Sequence, residues 1–106
     1  MYVAEIDDNE YYQVSALVGD NITLYCNTSY KDVDWKYNYD KYLYLNGYTH
    51  HHKFTVDRSV AGEYNLVMPD VQLNESGLYS CVEDSGLGRR HEYTVNITGR
   101  TAACCF

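Results

Sequence analysis

The sequence is poor in proline, with Pro69 alone in 106 residues, and has only two Phe and one Trp. Basic side chains are also few, eight Lys and Arg against 15 Asp and Glu, for a formal charge of -7. That scarcity excludes duplex nucleic acid as a partner, because phosphate binding needs clustered basic residues. It excludes docking on anionic lipid for the same reason. No run approaches the roughly 18 apolar residues of a spanning helix, so no direct membrane insertion is expected of this segment. The start, Met1 to Asp8, lacks the basic and apolar regions of a signal peptide and reads as that of a mature fragment. There is no nucleophile elbow, phosphate loop or zinc-protease helix, so no catalytic residues, enzymatic activity or cofactor are expected. The length leaves room for one domain and no second core.

What is abundant is tyrosine, 13 residues in all. Tyrosine favours strands and keeps a polar tip on an apolar body, which suggests a small β protein with a wet aromatic surface. Of the four cysteines, Cys26 and Cys81 lie far apart, whereas Cys104 and Cys105 are adjacent and cannot easily join each other. None has the Cys-x-x-Cys spacing of a zinc or redox site. Four Asn-x-Ser/Thr acceptors, at Asn21, Asn27, Asn74 and Asn96, point to the secretory route and an oxidising, extracellular setting. Such a chain is expected at the cell surface or secreted.

Alternation of period two runs through the sequence, and no segment has a helical period. Ile22, Leu24 and Cys26 share one face of a strand; Val33, Trp35 and Tyr37 share another. Leu43 and Leu45, flanked by Tyr42 and Tyr44, form a third strand that ends at the hairpin dipeptide Asn46-Gly47. Phe54 and Val56, then Tyr64, Leu66 and Met68, supply two more, the second stopped by Pro69-Asp70. Tyr79, Cys81 and Glu83 face one way on the next strand, and Tyr93, Val95 and Ile97 point inward on the last, with Ser85-Gly86-Leu87-Gly88 as a hairpin between them. An edge segment near Gln13 to Val18 completes at least eight short strands, the signature of an all-β sandwich. The sandwich is expected over residues 10–98, preceded by an extension over 1–9 and followed by a stalk or vector remnant over 99–106.

The order of these residues resembles the immunoglobulin superfamily, and within it the variable-type set. Val18-Gly19-Asp20-Asn21-Ile22-Thr23-Leu24-Tyr25-Cys26 leads a strand to its cysteine, and Trp35 follows nine residues later. Lys53-Phe54-Thr55-Val56 is similar to the opening of strand D, with lysine for the usual arginine. Val71 to Cys81 is the most specific piece: Tyr79 stands two residues before the cysteine, as the tyrosine-corner residue does, and Glu75 takes the place of an aspartate. The resemblance implies an immunoglobulin-like sandwich with a V-type Greek key, a Cys26–Cys81 disulfide packed on Trp35, and a framework that includes Leu24, Leu66 and Tyr79. It also implies an ion pair of Lys53 with Glu75. The segment between Trp35 and Cys81 is shorter than in antigen-receptor domains, so a reduced or absent C″ strand is expected.

For function, the resemblance implies a recognition domain of an immune-type receptor or adhesion molecule. The outward residues of the presumed GFCC′ sheet are Lys36, Tyr42, Tyr44, Val82, Asp84 and Glu92, with Arg89, Arg90 and His91 at the hairpin. Tyrosines among mixed charges suit protein recognition, because each gives rigid amphipathic area at low entropy cost. The expected partner is a protein, a second copy of the chain included. The alternative is a structural spacer in a longer ectodomain, tethered through Cys104 and Cys105. His50, His51 and His52 form the one histidine cluster. His50 and His52 share a face there, near Asp57 or His91, but a polar edge is favoured over a metal site, which wants four ligands.

Overall fold

The computed structural model describes residues 9–99. Cys104, Cys105 and most of the expected N-terminal extension and C-terminal tail lie outside the described residues. Nine strands run in chain order as β1 Glu10–Leu17, β2 Ile22–Leu24, β3 Val33–Tyr37, β4 Lys41–Leu45, β5 Tyr48–Thr49, β6 Thr55–Asp57, β7 Asn65–Met68, β8 Gly77–Glu83 and β9 Arg90–Thr98. They form a six-stranded sheet in the order β1-β9-β8-β3-β4-β5 and a three-stranded sheet in the order β2-β7-β6. This is the immunoglobulin-like sandwich with a V-type Greek key, and the two-residue β5 is its reduced C″ strand. β1 runs parallel to β9, with Val14 opposite Val95 and Ala16 opposite Ile97, so both strands send the same parity of residue inward.

The Asn46-Gly47 turn joins β4 to β5 with φ of 54° and 82°, the double positive φ of a type I′ hairpin. The strand leading to Cys26 stops earlier than the alternation suggests. β2 ends at Leu24, and the Cys26 N–H donates to Asn65 Oδ1 at 3.0 Å, a side chain in place of a ladder carbonyl. The segment after β8 is a 3₁₀ turn over Asp84–Gly86, in which Asp84 and Ser85 both take positive φ.

Between the sheets, the Cys26–Cys81 disulfide and the wholly buried Trp35 form the centre, with Leu24, Phe54, Leu66, Met68 and Val71 around them. The Trp35 indole N–H donates to the Tyr64 carbonyl at 2.7 Å, which removes the cost of burying an unpaired donor. Tyr79 donates its hydroxyl to the Glu75 carbonyl, the tyrosine-corner bond, and burial pushes its phenol well above the ordinary value. Tyr93 lies under Tyr12, ring centroids 4.9 Å apart, and burial raises its phenol to about 12.

At the base, Lys53 Nζ lies 2.9 Å from Glu75 Oε1 and also donates to the Asp70 carbonyl. Glu75 in turn accepts the Gln72 N–H and closes the 3₁₀ turn Leu73–Glu75. Lysine offers one point contact where arginine would offer a fork, so a double-mutant cycle on Lys53→Ala and Glu75→Ala should give a coupling below about 1 kcal/mol. Urea unfolding of the four proteins measures it; a coupling several times larger would show that the pair matters more than a single point contact allows.

Candidate protein interface

The strand register sets out the surface of the six-stranded sheet row by row. One row crosses β4, β3, β8, β9 and β1 as Tyr42, Lys36, Ser80, Glu92 and Tyr11. The adjacent row crosses β3, β8 and β9 as Asp34, Val82 and Arg90. Charge therefore alternates along each flanking strand, Asp34 then Lys36 on β3 and Arg90 then Glu92 on β9. Neutral Val82 and Ser80 lie between them on β8.

The edges of this face are open and its middle is closed. Tyr11, Tyr39 and Tyr42 are exposed, while Asp34, Ser80, Val82 and Glu92 are buried. Lys36 Nζ sits 4.9 Å over the Tyr42 ring. Tyr39 donates its hydroxyl to Glu92 Oε1 at 3.3 Å, and Arg90 reaches Glu92 Oε2 at 3.3 Å. Burial, helped by repulsion from Asp32, raises the Asp34 carboxyl above its ordinary value, and a backbone N–H at Asn46 works against this. Asp34 Oδ1 and Ser80 Oγ have no hydrogen-bond partner among the described residues. Both atoms are themselves buried, so each is an unpaired polar group held within the sheet.

Three residues expected on this face lie elsewhere. Tyr44 is 6% exposed and belongs to the core, with its ring near Arg58. The cause is a bulge in β4: Trp35 faces Tyr44 and Lys36 faces Tyr42, so Leu43 is an extra residue and both it and Tyr44 turn inward. Asp84 is held in the 3₁₀ turn, its N–H bonded to the Asp32 carbonyl at 2.7 Å, off the plane of the strands. Arg89 stays partly exposed at the strand end and is drawn to Glu10 and Glu83, each 3.7 Å away, not out onto the face. Lys36, Tyr42, Val82, Arg90 and Glu92 do share the outer face, with Val82 as its buried centre.

His91 also points inward, contrary to its placement at the hairpin surface. Its Nε2 lies 2.5 Å from Glu83 Oε2 and its Nδ1 2.7 Å from Glu10 Oε1. A carboxyl group thus lies on each ring nitrogen. Glu83 and His91 are 1% and 3% exposed, so this is a buried hydrogen-bonded cluster that ties β1 to β8 and β9. The bond from His91 holds the Glu10 carboxyl below its ordinary range. Glu83 also fixes Gly88: a Cβ there would lie 2.8 Å from Glu83 Cβ, so only glycine fits.

The histidine cluster is not arranged as a metal site. His51 stacks on Phe54 at 4.0 Å and on His52 at 4.5 Å, while the His50 N–H is bonded to the Leu43 carbonyl. Among the described residues, the ligand atoms that do gather are those of Cys26, Glu83 and His91, and Cys26 is spent in the disulfide. Of the four acceptor asparagines, Asn21, Asn27 and Asn74 lie on the loops and the other sheet's side, and Asn96 is exposed near the end of β9. No helix among the described residues is long and apolar enough to cross a membrane.

No protein-family model matches the chain, and no curated protein matches it. Solved structures do. The chain is similar to a chain of the crystal structure of Dpr1 IG1 bound to DIP-eta IG1, at 26% identity over 89% of this chain and 93% of that one, with a TM-score of 0.67. It is similar to the extracellular domain of the voltage-gated sodium channel beta4 subunit, at 13% identity over 98% of both chains, with a TM-score of 0.69. A third likeness is to Tim-1, at 16% identity over 91% and 99%, with a TM-score of 0.73. These likenesses establish the fold as that of the immunoglobulin superfamily.

Proposed function

We propose that residues 10–98 are a V-set immunoglobulin domain that acts outside the cell as the recognition domain of an adhesion molecule or immune-type receptor. It binds protein through the outer face of β4, β3, β8 and β9, and a second copy of the same chain is the favoured partner. Recognition, not catalysis, is its activity. Asn21, Asn27, Asn74 and Asn96 are read as its glycosylation acceptors, and only Asn96 shares the outer face.

The observation that carries this reading is the charge pattern about β8. A two-fold axis running along β8 between two facing sheets lays β3 of one copy over β9 of the other, at the same height. Asp34 then meets Arg90 of the second copy, and Lys36 meets Glu92, twice over by symmetry. Ser80, small and on β8 at the axis, lets the sheets approach. An axis across the strands would set like charge on like where it passes through a row. Midway between rows it would set Asp34 against Lys36 and Arg90 against Glu92, an arrangement that pairing Lys36→Glu with Glu92→Lys would not rescue. The flanking Tyr42 and Tyr11 supply the aromatic rim. The reading agrees with the beta4 extracellular domains, solved as parallel homodimers tied to cell-cell adhesion, and with Dpr1 IG1, solved bound to DIP-eta IG1.

Sedimentation of the full chain carrying Cys104→Ser and Cys105→Ser separates the two readings. A dimer that persists without the tail cysteines and is weakened about tenfold or more by Tyr42→Ala supports the face. A dimer lost with the cysteines supports a tethered spacer instead.

A further inference from the structure

A cleft of about 210 Å3 opens between β4, the histidine segment and the Leu73–Glu75 turn, away from the charged rows on the outer face. The rings of Tyr37, His52 and Phe54 line it, and Asn74 stands among its lining residues while remaining exposed to solvent. Asn74 begins the triplet Asn74-Glu75-Ser76. We propose that this cleft is a seat for the first N-acetylglucosamine of a glycan carried on Asn74, whose ring and acetamido group pack against the aromatic side chains. The proposal rests on reading Asn74 as a glycosylation acceptor.

Three features fit that occupant. The space, about 210 Å3, is of the size of one sugar ring. Tyr37 and His52 present rings that are not buried, and the C–H face of a sugar packs on such rings as an apolar surface does. His51 supplies a directed polar group: its Nδ1 accepts the N–H groups of Lys53 at 3.0 Å and Phe54 at 2.9 Å, which places its proton on Nε2, a donor suited to the acetamido carbonyl. Burial lowers the His51 pKa and keeps the ring neutral in this role. Glu75, the carboxylate beside the cleft, is already taken by Lys53 and the Gln72 N–H, so it does not demand a cation from the occupant.

Attachment strengthens the case. A sugar on the Asn74 side-chain nitrogen begins at the lip of the cleft, so its contact with the rings is intramolecular and needs little intrinsic affinity. Held there, the glycan lies against the base of the domain and leaves the rows of β3, β8 and β9 free for a partner.

The test uses the full chain secreted from eukaryotic cells, with glycan occupancy at Asn74 read by mass spectrometry. Three glycoforms are compared: intact, trimmed by an endoglycosidase that leaves one N-acetylglucosamine, and fully deglycosylated. The single-sugar form should keep the thermal midpoint of the intact form, and the fully deglycosylated form should melt lower. Asn74→Gln should abolish the difference. In NMR spectra the acetyl methyl of the Asn74 sugar should be shifted upfield by ring currents, and His52→Ala, an exposed substitution that leaves the core intact, should reduce that shift. An Asn74 sugar with its methyl at the free-glycan position and no effect on the midpoint would overturn the seat while leaving the acceptor reading in place. An Asn74 without glycan would overturn both.

Discussion

Replacing both Cys26 and Cys81 with alanine is expected to lower the stability of the folded chain by about 4 kcal/mol, the value for a closed loop of this size in the chain-entropy model. The bridge spans 55 residues and joins the two sheets at the wholly buried Trp35. A domain of this length has a total stability of roughly 5–15 kcal/mol, so the variant should be close to unfolding at body temperature. Urea unfolding of the variant against the parent measures the loss. A loss below about 1 kcal/mol would mean that packing around Trp35 holds the sandwich without the bridge.

The second large effect is expected at His91. His91→Ala removes the hydrogen-bond partner that Glu83 and Glu10 share and leaves buried Glu83 with Arg89, 3.7 Å away, so the loss should be about 1–3 kcal/mol, the cost of a buried polar group left short of a partner. Replacing both partners by apolar residues, Glu83→Leu with His91→Leu, should recover most of it, because the cost lies in the polar group left behind. Equal damage from the single and double variants would contradict this account. The same cluster gives stability an acid limb. Glu10 titrates below its ordinary value when folded, chiefly through the bond from His91, so its contribution is complete above the unfolded value of 4.5 and is lost as pH falls through the folded one. Glu10→Gln should therefore lower the thermal midpoint at neutral pH and converge with the parent in acid. Asp34, raised by burial, works in the opposite direction, since protonation relieves it.

Much of this was legible from the order of residues. The motif around Cys26, Trp35 and Tyr79 is local and chemically specific, and the structure gives it the same disulfide, core indole and corner hydroxyl. The hairpin at Asn46-Gly47 was legible for a similar reason, because few residues accept two successive positive φ values. Tyr44 was not. Alternation assumes an unbroken pleat, and a bulge that inserts Leu43 breaks it without any glycine or proline to announce it. His91 could have been found: it shares parity with Tyr93, Val95 and Ile97, all inward, and on the neighbouring strand Glu83 shares parity with Cys81. A polar residue near a hairpin invites placement at the surface, and only the pairing of β8 with β9 brings the two side chains together inside. The alternating charges about β8 were equally invisible, because their meaning depends on which residues of β3, β8 and β9 lie in one row.

The central claim, that this face pairs with its own copy about β8, is tested most directly by charge reversal on the full chain lacking Cys104 and Cys105. Lys36→Glu alone sets acid against acid in a homodimer, and Glu92→Lys alone sets base against base; each should abolish the dimer, since like charges apposed in an interface cost several kcal/mol. Mixed in equal amounts, the two variants restore opposite charges at both contacts, and sedimentation should show a dimer containing one copy of each. Homodimers of either variant, or a mixture that stays monomeric while the parent dimerises, would contradict the crossed arrangement.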